Sequence, residues 1–153
     1  MQRLRSSIAP QRGQSLVEFA LVFPMVILFL FAIVDFGIAL DRRITLQHAI
    51  REGARYAAVH GDMLDIQNKT ANQAQNIIVS SDVVVCYIDG DDDNISVGDP
   101  GDSVRVSATF AYNPAIVGPV LTGLFGGGVG TINMTPSATA RLERTVSGAG
   151  ACP

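Results

Sequence analysis

The hydrophobic and polar positions along the chain begin with an unbroken apolar segment. Residues 19–34 carry no charged side chain. With Leu16 and Val17 they make about 20 residues, the length of helix that crosses a hydrocarbon core of about 30 Å. This pattern predicts a membrane-spanning helix that begins at Gln14 and leaves the bilayer at about residue 34.

Beyond Asp35 the apolar residues recur at helical spacing, and charged residues fill the gaps between them. We expect the helix to continue in amphipathic form over the rest of residues 14–60, with Gly61 ending it as a C-terminal cap. This apolar stripe would pack on a head domain of the same chain or on neighbouring subunits. Its predicted members are Phe36, Leu40, Ile44, Leu46, Ile50, Ala54 and Ala57.

Residues 61–153 have the mixed pattern of a small α+β head. Asp65 to Ser80 has a helical pattern, and three later runs read as strands. The strands are predicted at Val83 to Ile88, at residues 104–112, and at residues 132–142 with an interruption at Pro136. We therefore expect an α+β fold: a long N-terminal helix, then a head with a short helix and an antiparallel sheet of about three or four strands.

Two segments of the head are predicted as loops. Asn113 to Gly130 is apolar and rich in glycine, so it is either a connection folded onto the sheet or an exposed tip that contacts a partner. The other loop contains Asp89, Asp91 and Asp93, which have the alternate spacing of a calcium loop. Asn94 and Pro100 stand where an EF-hand needs glycine and a carboxylate, so that motif is excluded. A solvated acidic turn is favoured over a looser calcium site.

The charges differ between the two ends of the chain. Arg3, Arg5 and Arg12 are the only charged residues among the first 13, whereas four bases face ten acids from Gly61 onward. The positive-inside rule then predicts a single-pass protein of the cytoplasmic membrane, with its N-terminus in the cytoplasm and residues 61–153 outside. Four arginines between residues 42 and 55 weaken this argument, and three nearby acids partly offset them. The apolar run is too long for an ordinary secretory signal.

Cys86 and Cys152 are the two cysteines. In an exported head they can form a disulfide that attaches the C-terminal segment to a strand, and two free thiols are the alternative. His48 and His60 have no cysteine or acid at ligand spacing, and no catalytic motif is present. We therefore expect no enzyme, no cofactor, no small-molecule substrate and no nucleic acid.

Glu18 stands out because it is an acid at the start of the apolar span, where a carboxylate is costly if it enters lipid. A cut after Gly13 would make Glu18 the fifth residue and place a new ammonium group on Gln14. In a filament, the Glu18 of one subunit could neutralise the ammonium of a neighbour in one register only. The alternative is a Glu18 that lies near the headgroups at little cost.

A known family shares these motifs. The start of the helix resembles the processing site of type IV prepilins, and most closely that of the Flp branch. The resemblance lies in Gly13, the four residues after it, Glu18-Phe19 and the apolar span that follows. The following stretch resembles the TadE-like family of the Tad (tight adherence) system. Its markers are Val17 to Leu21, Pro24, Asp35-Phe36-Gly37, Leu46-Gln47 and Arg51 to Ala58.

The resemblance implies a structural protein with a pilin-like head. A prepilin peptidase would remove the basic leader, residues 1–13, by cutting between Gly13 and Gln14, and Glu18 and Phe19 would serve assembly. The chain would then act as a minor pilin or pseudopilin that supports pilus biogenesis and adhesion, with other Tad pilins, the assembly machinery and the lipid bilayer as partners. The rival interpretation is an unprocessed, membrane-anchored binding protein whose head recognises a ligand.

Overall fold

The computed structural model describes residues 13–90, 99–126, 130–145 and 150–153, and it confirms the predicted α+β class. A long helix comes first and a small head follows. The helices are α1 Gln14–Val59, α2 Met63–Gln73 and α3 Val117–Phe125, with a 3-10 turn at Ser80–Asp82. The strands are β1 Val83–Ile88, β2 Ser103–Ala108, β3 Phe110–Tyr112, β4 Ile132–Met134, β5 Ser137–Arg141 and β6 Gly150–Ala151.

The long helix α1 contains 46 residues and continues through Pro24. At 1.5 Å per residue it is about 70 Å long. Among residues 13–34 no side chain is buried, whereas Asp35, Ala39 and a series from Leu46 to Ala57 are. The head therefore packs on the second half of α1 and leaves the first half bare.

The predicted apolar stripe of α1 is only partly right. Leu46, Ile50, Ala54 and Ala57 are buried under the head, but Phe36, Leu40 and Ile44 are exposed. The physical reason is that the head packs on the side of α1 that carries Asp35 and Ala39, and these three residues are turned away from that side enough to stay exposed.

The end of α1 also differs from the prediction. The helix ends at Val59, His60 has an extended backbone, and Gly61 does not adopt the left-handed conformation of a glycine cap. Asp62 instead caps the next helix, since its side chain accepts a hydrogen bond from the backbone N–H of Leu64 at 2.9 Å. A short extended connection therefore leads directly into α2.

The main sheet has four strands in the order β5-β2-β1-β6. The pairs β1–β2 and β2–β5 are antiparallel, with Val106 facing both Val85 and Ala138. The short strand β6 lies parallel to β1. The predicted antiparallel sheet is therefore confirmed for three strands, and β6 is an addition that the sequence pattern did not predict.

Two predicted strands are each divided between two sheets. The run over residues 104–112 breaks after Ala108, and the run over residues 132–142 breaks at Pro136. Their outer pieces, β3 and β4, pair with each other in a second, two-stranded sheet. The two breaks lie side by side, as shown by the hydrogen bond that the Ala108 N–H donates to the Pro136 carbonyl at 3.3 Å. Since proline has no N–H for a ladder, the chain turns a corner there.

The main core lies between α1, α2 and the inner face of the four-stranded sheet. Its residues alternate along β2, where Val104, Val106 and Ala108 are buried and the residues between them are half-buried. A smaller apolar cluster joins α1 to the second sheet. The main core includes Leu46, Ile50, Ala54, Ile66, Val83, Val85, Tyr87, Val104, Val106 and Leu142, and the smaller cluster contains Ala39, Phe110, Tyr112 and Met134.

The predicted loop from Asn113 to Gly130 contains a helix, α3, so the loop assignment was wrong over residues 117–125. Gly126 ends this helix in the left-handed conformation, φ 70°, and its N–H donates to the Thr122 carbonyl at 3.0 Å. This is the ordinary glycine C-cap. The group that caps the other end of α3 is Asp35, which lies far away in the sequence and is described below.

Cys86 and Cys152 form a disulfide in the structure. The bond joins β1 to the segment that contains β6, and the Cys152 N–H also donates to the Tyr87 carbonyl at 2.7 Å. The bridge therefore holds the C-terminal end of the chain against the edge of the main sheet.

Candidate functional site

The first half of α1 is the most exposed apolar surface of the protein. Within the described residues, α1 is the one helix that is long and apolar enough to cross a membrane. Thirteen large apolar side chains between Gln14 and Asp35 are exposed, and none of them is buried by the head. The most exposed are Leu16, Phe19, Leu21, Met25 and Phe29. Exposing so much apolar surface to water is unfavourable, so lipid or other protein must cover this segment.

Glu18 and Phe19 lie on this bare segment, one turn from the start of the helix. The carboxylate of Glu18 is exposed, and within the described residues it accepts one long hydrogen bond, from the Gln14 side-chain amide to Oε1 at 3.4 Å. The Phe19 ring packs on Phe23 with centroids 5.1 Å apart. Gly13 precedes the helix without a side-chain cap, and the leader residues 1–12 lie outside the described residues. Glu18 is therefore free to meet a group from outside the chain.

Asp35 occupies a site that sequence reasoning did not select. Its side chain is 5% exposed and lies at the start of α3. The carboxylate accepts hydrogen bonds from the backbone N–H of Val117 at 2.7 Å and of Ile116 at 3.1 Å. These are orphan donors of a helix N-terminus, where a carboxylate is favoured by both hydrogen bonding and the helix dipole. Asp35 therefore joins α1 to α3 across 82 residues of sequence.

Tyr112 completes this junction. Its hydroxyl donates to the backbone carbonyl of Asp35 at 3.2 Å. Burial raises the pKa of the Tyr112 phenol, the Asp35 carboxylate raises the pKa further, and Arg42 acts in the opposite direction. The phenol therefore stays protonated and keeps donating well above neutral pH. A signal for this junction was present in the sequence, since Asp35 is the first acid after a long apolar run, but its partners could not be identified from spacing.

The acidic loop is tied at its end by hydrogen bonds. Asp102 is buried, and its carboxylate accepts from the Gly90 N–H at 3.0 Å and from the Asp99 N–H at 3.3 Å. Asp91 and Asp93 lie outside the described residues, and Asp89 lies within them. In the described part of the chain, no three His, Cys, Asp or Glu side chains come together as a metal site. The looser calcium site stays a prediction.

A comparison with known protein families finds a match over most of the long helix α1. Residues 13–55 match the model of the family described as TadE-like protein. The matched segment contains Gly13, Glu18 and Asp35, and it ends before the head begins. No curated protein and no solved structure matches the chain.

The TadE-like family is a structural pilin family and not an enzymatic one. The match supports association with other pilus components, and together with the long apolar helix it fits a membrane-anchored protein. Over residues 13–55 the match confirms the resemblance predicted from the sequence and is consistent with a TadE-like protein. The family itself suggests a pilin-like protein associated with a Tad pilus.

Proposed function

We propose that the chain is a minor pilin or pseudopilin of a Tad-type pilus, processed after Gly13 and assembled through the bare half of α1. The observation that carries this proposal is the division of one continuous helix into two halves. Residues 14–34 touch none of the head core, whereas the second half of the same helix forms the base of the head. Lipid covers the bare half before assembly, and the helices of neighbouring subunits cover it in the filament.

Glu18 sets the register of this assembly. The peptidase cut exposes an ammonium group on Gln14, and the exposed Glu18 carboxylate of an adjacent subunit neutralises it. Removing a charge from water is costly in a low-dielectric setting unless an opposite charge compensates for it. Only one axial offset between helices brings the two groups together, so the pairing favours that offset over the others.

The membrane orientation follows from the charge distribution. Basic residues of the leader stay in the cytoplasm, and the head lies outside, where the disulfide between Cys86 and Cys152 is chemically stable. The partners are the prepilin peptidase, the lipid bilayer, the other Tad pilins and their assembly machinery. Adhesion is supported through the pilus that these subunits build.

A second candidate function is an unprocessed, single-pass anchor with a recognition head. One observation favours it: a polar cavity of about 430 Å³ lies between α1 and β4. The exposed cation Arg43 lines it together with Gln47, Asn133 and Thr135. Such a cavity is what a polar ligand would need, although it lies outside the bare segment that distinguishes a pilin helix.

The intact mass of the protein, extracted from its native membrane, separates the two functions. We expect a species that begins at Gln14 and lacks residues 1–13. In a Gly13→Phe variant, whose bulky side chain blocks the peptidase, the full-length species should persist. A full-length wild-type protein beside an active peptidase contradicts processing and favours the anchor.

The same mass measurement tests whether the new N-terminus at Gln14 keeps its ammonium group. An N-terminal glutamine that cyclises loses ammonia and its charge, which the mass records directly. A mature species with the mass of uncyclised Gln14 supports the pairing with Glu18. A species that is wholly cyclised within assembled pili contradicts that pairing, even where processing is established.

A further inference from the structure

The head contains one long stretch of sequence without charges. From residue 106 to residue 140 the sequence contains no Asp, Glu, Lys, Arg or His. This stretch includes β3, α3 and β4, which we call the uncharged unit. Arg105 and Arg141 bound the stretch, and the acids of the head lie in other segments.

The uncharged unit lies beside the last turns of the apolar part of α1. Asp35 receives the N-terminus of α3, and Ala39 packs with Tyr112 and Met134. An apolar cavity of about 160 Å³ lies in this junction, lined by Ala32, Phe36, Ala39, Pro114, Val117 and Ile132 among others. The unit is therefore next to the helix surface that lipid must cover.

The burial of Asp35 changes where the apolar surface of α1 ends. Because its carboxylate faces the α3 N-terminus and not the surroundings, the outward surface stays apolar through Phe36, Ile38 and Leu40. The next charged side chain is the exposed Asp41. The stretch from Phe19 to Leu40 is about 33 Å long at 1.5 Å per residue, which matches a hydrocarbon core of about 30 Å with a modest tilt.

We propose that the uncharged unit is a second membrane-contacting element, which lies in the bilayer interface on the head side, alongside α1. Its partner is the lipid bilayer, at the boundary between headgroups and acyl chains. Charged side chains are costly on the acyl-chain side of this boundary, and the unit has none. Its backbone groups at the α3 N-terminus are satisfied by Asp35, as a helix end in a nonaqueous setting requires.

This proposal rests on α1 crossing a membrane and not on pilus assembly. It also assigns Asp35 a role as a positioning residue, which holds α3 at the level of the interface. The consequence is a head whose orientation on the membrane is set by two contacts, α1 and the uncharged unit. A head carried by α1 alone could rotate about the helix axis.

Tryptophan fluorescence tests the proposal cleanly, because the chain contains no tryptophan. Single probes are Thr122→Trp and Pro119→Trp at exposed positions of α3, so neither requires a change in a packed core. Phe29→Trp, on the bare half of α1, reports the span. Val84→Trp, at an exposed position of β1, is the control on a distant part of the head. The full chain is reconstituted in phosphatidylcholine vesicles whose acyl chains carry bromine, a contact quencher.

We expect both α3 probes and Phe29→Trp to lose fluorescence, and Val84→Trp to keep it. Bromine placed near the headgroups should quench the α3 probes more than bromine placed near the chain ends. Unquenched α3 probes beside a quenched Phe29→Trp overturn the proposal while leaving the anchor intact. An unquenched Phe29→Trp overturns both the proposal and the membrane-spanning role of α1. A blue shift of the α3 probes without quenching, accompanied by dimers in cross-linking, assigns the unit to a second copy of the chain and also overturns the proposal.

Discussion

Gly53→Ala is expected to lower the free energy of unfolding of the head by about 1–3 kcal/mol, the usual cost of overpacking a core. Gly53 is buried where α1 crosses α2, and Thr70 faces it. A Cβ atom at residue 53 would overlap the Thr70 hydroxyl oxygen and lie 3.1 Å from both Cβ and Cγ2 of Thr70.

Thr70 has little freedom to move away. It is fully buried, and its hydroxyl donates to the Ile66 carbonyl at 2.7 Å. The added methyl group must therefore separate α1 from α2 or break that hydrogen bond. The measurement is chemical denaturation of the full chain in detergent, followed by near-UV circular dichroism, which reports the aromatic side chains of the head.

Gly37→Ala is the matched control for this prediction. Apart from its own helix backbone and chain neighbours, no atom of the described residues lies within 4 Å of a Cβ placed at Gly37, on the same helix. That change should be neutral or stabilising by up to about 1 kcal/mol, because alanine favours a helix over glycine. The double variant Gly53→Ala/Thr70→Ala should recover part of the lost stability, since it removes the overlapping hydroxyl. Equal stabilities of Gly53→Ala and Gly37→Ala would contradict the packing at this crossing.

Removal of the disulfide is expected to destabilise the head by about 4 kcal/mol, from the entropy of a closed loop of this length. The bond joins residues 66 apart in sequence. The strand β6 has two residues, Gly150 and Ala151, which pair with Cys86 and Tyr87. So short a strand is held mainly by the bridge, and we expect it to leave the sheet in Cys86→Ala/Cys152→Ala.

Reducing agent provides the control for the disulfide. The wild-type protein with reductant should unfold at the same denaturant concentration as the double variant, and the variant should not respond to reductant. Hydrogen exchange of the Cys152 amide, which donates to the Tyr87 carbonyl, should become fast in both. An unchanged unfolding transition after full reduction would contradict the contribution of the bridge.

Local periodicity was sufficient to predict α1, β1 and β2. Each is set by the spacing of its own apolar residues, as in β2, where Val104 and Val106 alternate with half-buried neighbours. The helix α3 could not be predicted in this way. Its glycines and proline are typical of a loop, and the carboxylate that caps it, Asp35, comes from α1. A contact so distant in sequence has no local signature.

The corner between the two sheets could not be predicted from the pattern of residues 104–112 for a similar reason. Residues 104–112 alternate without interruption, so nothing in that run marks the break after Ala108. The cause lies on the partner strand, where Pro136 cannot continue the ladder. The stripe on α1 was wrong at Phe36, Leu40 and Ile44. The head buries Asp35 and Ala39 at the same level of the helix, so the helical period predicted the spacing but not which side faces the head there.

The Arg51 to Ala58 motif, one of the family markers, contains both a surface ion pair and small buried residues. Glu52 and Arg55 form an ion pair at 3.0 Å that lowers the pKa of Glu52 and raises that of Arg55, mainly through the hydrogen bond between them. The pair lies on the surface, where such pairs contribute little. Gly53, Ala54 and Ala57 are buried instead, and their small size lets α2 and the sheet approach α1.

The residues of the proposed N-terminal assembly site were selected from the sequence, and the fold shows what surrounds them. The sequence selected Glu18 and Phe19, and the structure places both on a helix segment that the head does not cover. Their role in assembly stays a prediction, because it depends on neighbouring subunits. Asp35 was recognised only as part of a family marker, although it determines where the head meets the span.

The most direct test of assembly through α1 is the amount of pilus that cells produce with Glu18→Ala, measured beside the amount of the variant in the membrane. Asp41→Ala removes an exposed acid at the other end of the span and is the matched control. If Glu18 sets the register of the subunits, Glu18→Ala will insert at the wild-type level and abolish pili, and Asp41→Ala will leave them unchanged. Wild-type piliation by Glu18→Ala would contradict the account and assign α1 the role of a membrane anchor alone.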